Sequence, residues 1–583
     1  MRKKSVLFKD CFKKYTTDQD KAISPRETLD AFYEKVESLD LKILNEVKRI
    51  DNGRLDIPVY FSVCGEDAFS LTGTKKQMGK GASPVQAEAS ACMELAERFS
   101  FFSFKSNEEN FITGDYKSMV QAGYPVLDLQ YLLLSVHDTR TGVDQLKLLL
   151  DEIPMQWTWA TNISTGKDIL LPFSWFFAIN EFNGPSAGNT IEEAALQGIC
   201  EIVERHVCSL VNNDKRETPA IDKKTVKDTI GKRLIDTFAE NGIDLYLNDF
   251  TLDTGICTVA ALAVDRATFP AKSEIVFTAG TTPDPEKAII RAVTEVAQLA
   301  GDFNSGSNYI ASGLPKPGSM EEVAYLTETG STVSVEEMVN FSDNNMRVEI
   351  DNCVDALKEI GMEIFMIDAT LDGLKIPALY TIIPGAHFRE RSRINDAGLF
   401  AAKLVMDLVT DPELLEGKFR KMEEILSGAY YLEFYRGRNL LNMGHLEPAV
   451  KHFKNALALN PEQEDLPYIY SYLGSCLKDL GEIDEAVSII QHGLEEDEER
   501  PDMHNTLGVC YFKKQQYEKA ITHFKRAVEL NPASGIDYAN LGVNYHKSEK
   551  NDLAVEYLTL ALTLDPDLDF AADLLAGITA ENS

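Results

Sequence analysis

The chain has 583 residues, too many for one ordinary core, so two or more domains are expected. Hydrophobic residues at 44% and charged residues at 26% exclude a disordered chain. The 92 Asp and Glu outnumber 58 Lys and Arg for a formal charge of −34, a field that disfavours nucleic acid and favours basic partners and bound cations.

No run approaches the roughly 18 apolar residues a membrane-spanning helix needs, so no membrane span is expected. The basic start MRKKSVLFKDCFKK has no apolar run behind it and does not read as a secretory signal. Nine Cys without a C-x-x-C pair argue against a zinc ribbon or a disulfide framework and point to a cytoplasmic, reducing location.

Residues 1–20 read as an N-terminal extension and 21–410 as the first domain. Hydrophobic periodicity predicts a helix over Thr28–Val47. Gly73–Ser83 (GTKKQMGKGAS) fails as a P-loop, because its glycines are six apart and Lys80 precedes Gly rather than Ser or Thr; it reads as a Gly-rich turn. A helix follows over Pro84–Phe104, a strand over Ile169–Ile179, and a helix over Thr190–Asn212. Strands are predicted at Gly255–Val264 and Glu274–Thr278, a helix over Pro285–Phe303, and loops at Asn304–Gly318 and Thr327–Ser331. Strands at Glu363–Asp368 and Pro377–Ile383 complete the set, and Thr410–Pro412 is the expected boundary. No βαβ regularity is present, so the class is α+β, a mixed sheet with helices, and not a doubly wound sheet.

Glu413–Leu432 reads as a helical lead-in within 411–433. From 434 the chain repeats: Gly437, Gly474, Gly508 and Gly542 are each followed after twelve residues by Ala449, Ala486, Ala520 and Ala554. Seven further come Ala456, Gly493, Ala527 and Ala561, and Pro461, Pro532 and Pro566 close three of the four units. The period of 34 and the paired amphipathic helices resemble the tetratricopeptide repeat, an all-α solenoid. The second unit departs with Glu498 in place of proline, and three extra residues fall near Gln463–Leu466. Asp567–Thr579 is the expected capping helix. Residues 411–583 carry 31 acids and 16 bases, including EEDEER at 495–500, which suits a basic client.

Three helices of the first domain carry polar stripes on otherwise apolar cylinders. Gln86, Ser90, Glu94 and Glu97 share a face by spacings of 4, 4 and 3, and Glu193, Gln197, Glu201 and Glu204 repeat those spacings. Arg291, Glu295 and Gln298 follow at 4 and 3. Buried carboxylates need compensation. Arg98 and Arg205 supply part of it, and divalent cations suit the rest. Glu and Gln oxygens select a hard ion, Mg²⁺ before zinc or iron, and such a site commonly holds phosphates as well. SAGNT at 186–190 opens the second helix with backbone N–H groups suited to an anion.

These residues resemble the YcaO family from about Lys21 to Gly385. Its first motif stands as Ser90, Glu94, Glu97 and Arg98; its second as Ser186, Asn189, Gln197, Glu201, Glu204 and Arg205, with Glu193 between; its third as Arg291, Glu295 and Gln298. Lys21 and Thr28 match a Lys and a Ser/Thr seven apart, and Ile376–Gly385 resembles the last core strand. The resemblance implies ATP and Mg²⁺ as cofactors. It implies Mg²⁺ ligands at Glu94, Glu97, Glu201, Glu204 and Glu295. It implies ATP contacts from Lys21, Thr28, Ser90, Arg98, Ser186, Asn189, Glu193, Gln197, Arg205, Arg291 and Gln298.

It also implies an ATP-dependent activation of a peptide backbone amide, giving azolines, thioamides or amidines. The chain ends AGITAENS rather than in a Pro-x-Pro-x-Pro tail, which counts against azoline synthesis. A YcaO domain followed by helical repeats also resembles members that act as accessory factors. That alternative implies a methylthiotransferase partner and a ribosomal protein client, and such proteins are commonly homodimers. A repeat adaptor with an inactive YcaO domain is disfavoured by the intact acids. The sequence names no nucleophile: Cys92, Cys200, Cys257 and His206 read as core residues.

Overall fold

The computed structural model describes residues 3–51, 53–299, 317–388 and 395–581. Most of the expected loop Asn304–Gly318 lies outside the described residues. The chain forms two compact units, Met1–Val143 with Pro154–Asn395, and Asp144–Ile153 with Asp396–Ser583.

Among the described residues the first unit holds three sheets. β1 (Leu44–Arg49), β2 (Val59–Cys64) and β3 (Lys76–Lys80) form an antiparallel meander. β4 (Ile112–Gly114), β5 (Met155–Asn162), β6 (Lys167–Pro172) and β7 (Pro185–Ala187) belong to a six-stranded sheet. β8 (Ala220–Ile221), β9 (Asp244–Asp249), β10 (Thr258–Val264), β11 (Val276–Thr281) and β12 (Thr332–Val333) form a second sheet in the order β11-β10-β9-β8-β12. β13 (Phe365–Asp368) and β14 (Ala378–Ile382) complete the six-stranded sheet as β4-β5-β13-β14-β7, with β6 on β5.

The striped helices, Pro84–Ser106, Ile191–Asp214 and Pro285–Leu299, pack on these sheets. Their starts follow local chemistry. Pro84 and Pro285 open two of them, where a missing N–H is harmless, and the Thr190 side chain caps the third by accepting from the Glu193 amide. β10 is buried along its whole length. Val259, Ala261 and Ala263 face the core of the Pro285–Leu299 helix, while Ala260, Leu262 and Val264 face that of the Ile191–Asp214 helix.

Three sequence expectations change. Thr28–Val47 is not one helix: a helix with a Ser24/Glu27 capping box covers Pro25–Glu37, and Leu44 and Val47 lie on β1, paired with β2. Their three-residue spacing mimics a helical face. Ile169–Ile179 divides at Pro172: β6 ends there, and Phe173–Asn180 is helical, burying Phe173, Phe176 and Trp175, Ile179 at spacings of 3 and 4. The centre of Gly73–Ser83 is β3 rather than a turn. The remaining predicted strands and the described parts of the striped helices fall within three residues of their expected bounds.

The second unit is helical. Helices Ala397–Leu408 and Pro412–Ile425 precede four antiparallel pairs: Tyr430–Asn442 with Leu446–Ala458, Leu466–Leu480 with Ile483–Glu496, Pro501–Lys513 with Tyr517–Leu530, and Gly535–Lys547 with Asn551–Leu564. The lead-in therefore ends at Ile425, and Leu432 already belongs to the first pair. A Cβ on Gly437, Gly474, Gly508 or Gly542 would come within 2.8 Å of Phe453, Ile490, Phe524 or Leu558, each 16 residues on. Close approach of the two helices is thus the reason for the recurring glycine. Helix Asp569–Glu581 covers the last pair with Ala571 and Ile578 buried.

Candidate functional site

The three stripes face one cavity of about 440 Å³, a size suited to a small-molecule ligand. Ser90, Glu94, Glu97 and Arg98 line it from the first striped helix, Glu193, Gln197, Glu201, Glu204 and Arg205 from the second, and Arg291, Glu295 and Gln298 from the third. Lys21, Thr28 and Asn189 complete the expected set. Ser186 is the exception. It is wholly buried on β7, a Cβ at Gly198 would come within 2.7 Å of its hydroxyl, and it does not line the cavity.

Each carboxylate is turned onto a cation. Arg98 lies 3.0 Å from Glu94 and 3.5 Å from Glu97, Arg205 lies 3.0 Å from Glu201, and Arg291 lies 3.4 Å from Glu204. Lys80 pairs with Glu295. Among the described residues no three His, Cys, Asp or Glu side chains gather closely enough to hold a metal ion as they stand. The pooling expected from the stripes is therefore a shared cavity in which Glu94 and Glu97 share Arg98, while Glu201, Glu204 and Glu295 pair with Arg205, Arg291 and Lys80.

Local electrostatics separate the acids. Burial raises the Glu97 carboxyl well above the usual range, and nearby Glu94 adds to the rise against the opposing Arg98. Burial acts on Glu201 too, but Arg205, Arg98 and Arg291 outweigh it and lower that group. Glu204 is raised, because burial exceeds the pull of Arg291, Lys80 and Arg205. Burial, with Arg291 nearby, brings the Lys80 ammonium down to about 8.

At the other end, Glu193 is a hub. It accepts from Asn189 Nδ2 at 3.0 Å and from the Ala22 amide at 3.0 Å, and faces Lys21 at 3.6 Å. Arg291 Nη1 donates to Gln197 Oε1 at 2.8 Å. Among the described residues the buried Gln298 Oε1 has no hydrogen-bond partner. Carboxylate and amide oxygens beside Lys and Arg form a donor set that fits both a hard divalent cation and a polyphosphate, and the orphaned amide oxygen leaves an acceptor for a ligand.

Sequence reasoning missed several lining residues. Gln19 comes from the N-terminal extension, bonded to Gln86 Nε2 at 3.2 Å. Lys76, Gln77 and Lys80 come from β3. Lys80 was visible in the Gly-Lys-Gly triplet, but testing that stretch only against the P-loop hid it; Gln19 had no local signal.

A mixed α+β unit whose acid-striped helices line a nucleotide-sized cavity, followed by a repeat solenoid, defines the class. The family model described as YcaO cyclodehydratase, ATP- and Mg²⁺-binding, matches residues 78–387, and tetratricopeptide-repeat models match 501–534 and 538–568. The chain belongs to the YcaO family, with ATP and Mg²⁺ as its cofactors. It is 29% identical over 391 residues to an uncharacterized protein of Methanothermobacter thermautotrophicus, covering 62% of this chain and 94% of that one. The fold is similar to that of a heterocyclase solved in complex with substrate and cofactor: TM-score 0.53, 20% identity, 66% of this chain and 55% of that one. YcaO from Methanopyrus kandleri bound with AMPPCP and Mg²⁺ matches at TM-score 0.49 and 24% identity, over 65% and 94% of the two chains. Among the described residues no helix is long and apolar enough to cross a membrane.

Proposed function

We propose that the chain is an ATP-dependent enzyme of the cytoplasm that activates a backbone amide of a peptide or protein client recruited by its repeats. The observation that carries this reading is the convergence of three acid stripes, with their arginines, on one cavity. When bound, ATP supplies a phosphoryl group that turns a poor amide leaving oxygen into a good one, and Mg²⁺ offsets the charge. Glu94, Glu97, Glu201, Glu204 and Glu295 would hold the metal. Lys21, Thr28, Ser90, Asn189, Glu193, Gln197 and Gln298 would orient the nucleotide, and Arg98, Arg205 and Arg291, paired with the glutamates, would meet its phosphates.

A second reading, an accessory factor that presents a basic ribosomal protein to a methylthiotransferase, draws support from the repeat unit and its excess of acid. One comparison tests both. Glu201→Gln keeps the volume of the side chain and removes its charge. It should reduce Mg²⁺-dependent ATP hydrolysis at least 100-fold, and cells carrying it should lose one protein mass shift seen with the wild-type chain. Unchanged hydrolysis overturns the site. A lost azoline, thioamide or amidine mass supports the first reading, and a lost methylthio mass supports the second.

A further inference from the structure

Lys80 is set apart from the arginines of the cavity. Arg98 and Arg205 rise from the same helices as the glutamates they pair with, one turn on, and Arg291 is held between Glu204 and Gln197. Lys80 enters from β3, outside all three helices. Its ammonium pairs with Glu295 and lies within the field of Glu204, Glu94 and Glu201. One lysine therefore faces carboxylates from every stripe.

The backbone beneath it is fixed. A Cβ on Gly79 would come within 2.0 Å of the Ala91 amide and 2.4 Å of the Ala87 carbonyl, so the strand lies flat on the first striped helix. Above that backbone the lysine carries a compact point charge with three donors on a four-carbon stem of rotatable bonds. We propose that Lys80 and Mg²⁺ compete for the same carboxylates, and that the displaced ammonium becomes a ligand of the terminal phosphate of the nucleotide. The inference rests on the reading of this cavity as an ATP–Mg²⁺ site. A divalent ion attracts the pooled carboxylates more strongly than an ammonium does, so displacement is electrostatically favoured. The freed charge then finds its nearest uncompensated anion on the phosphate.

Two titrations of the full chain by calorimetry test this, one with Mg²⁺ alone and one with a β,γ-methylene ATP analogue at saturating Mg²⁺. Lys80→Met should bind Mg²⁺ alone about tenfold more tightly, because the competitor is gone, and the analogue about tenfold more weakly. These opposite shifts separate the proposal from general damage, which weakens both. Lys80→Arg restores the charge and should return analogue affinity toward wild type, and circular dichroism checks the fold of each variant. Unchanged or weaker Mg²⁺ binding in Lys80→Met overturns the competition, and unchanged analogue affinity overturns the phosphate contact. A wild-type chain that binds neither Mg²⁺ nor the analogue overturns the underlying site reading instead.

Discussion

Glu97 and Glu201 are chemically identical and lie in one cavity, yet their carboxyl groups shift in opposite directions. The difference is the balance of neighbouring charge: for Glu97 the like charges of Glu94 and Glu201 add to burial against Arg98 and Arg205, while for Glu201 the guanidinium groups of Arg205, Arg98 and Arg291 outweigh burial. The same logic of facing groups reaches the repeats, where His504 and His523 meet nitrogen to nitrogen at 3.1 Å. His504 Nε2 bonds the Glu498 carbonyl, which only accepts, so that nitrogen carries the proton and His504 Nδ1 accepts from His523. Burial and then His504 lower the His523 ring to about 4. An unfolded His takes its proton near 6.5. The folded repeats therefore keep this contribution to their stability in full above that pH and lose it as the pH falls from 6.5 toward 4, since the unfolded chain binds the extra proton. Amide protection of helices Pro501–Lys513 and Tyr517–Leu530, corrected for intrinsic exchange, should drop between pH 7 and pH 5. His523→Gln should flatten that dependence; an equal drop in the variant would place the sensitivity elsewhere.

At the scale of elements, one packing device is used twice. Gly79, Pro84, Ala91 and Glu94 share the spacings 5, 7 and 3 with Gly280, Pro285, Ala292 and Glu295. In both, a strand glycine lies against the backbone of the following helix, so that the helix carries its glutamate close to the sheet. A Cβ on Gly280 would come within 2.6 Å of the Ala292 amide and 2.8 Å of the Ala288 carbonyl. Gly280→Ala must push strand from helix, at about 1–3 kcal/mol. Urea unfolding should show that loss, and analogue affinity should fall with it because Glu295 moves. Retention of both would show that the sheet yields without disturbing the site. This device also explains what could be read from the sequence. The stripes stand out because carboxylates among Ala, Val and Ile break the helical pattern, whereas β3 (KQMGK) carries too few apolar residues to announce a strand and shows its purpose only when Gly79 meets Ala91. Tertiary pairing, not local pattern, makes Leu44–Arg49 a strand.

At the scale of the molecule, the formal −34 contains two populations of acid. In the cavity they are half-buried or buried and paired with Arg and Lys; on the repeats many are exposed, as along Glu495–Glu499. The repeats were legible because period and small residues recur at fixed steps. Where the helical unit begins was not, because helix Ala397–Leu408 lacks the repeat signature and belongs to the second unit by its packing. Gly398 leaves room for the Tyr431 hydroxyl, and Asp396 receives that hydroxyl at 3.2 Å. A fragment of residues 411–583 lacks this helix and leaves the Tyr430–Asn442 face uncovered, whereas 396–583 retains it. Both should be helical by circular dichroism, and the longer fragment should melt several degrees higher, a shift expected from about 1–2 kcal/mol of added packing. Ending the longer fragment at Pro566 should reverse the gain, because the helix over Ala571 and Ile578 is what shields the last pair from water. A random-coil spectrum from 396–583 would mean that the solenoid does not fold alone, and equal melting of the two fragments would place the start of the unit at residue 411.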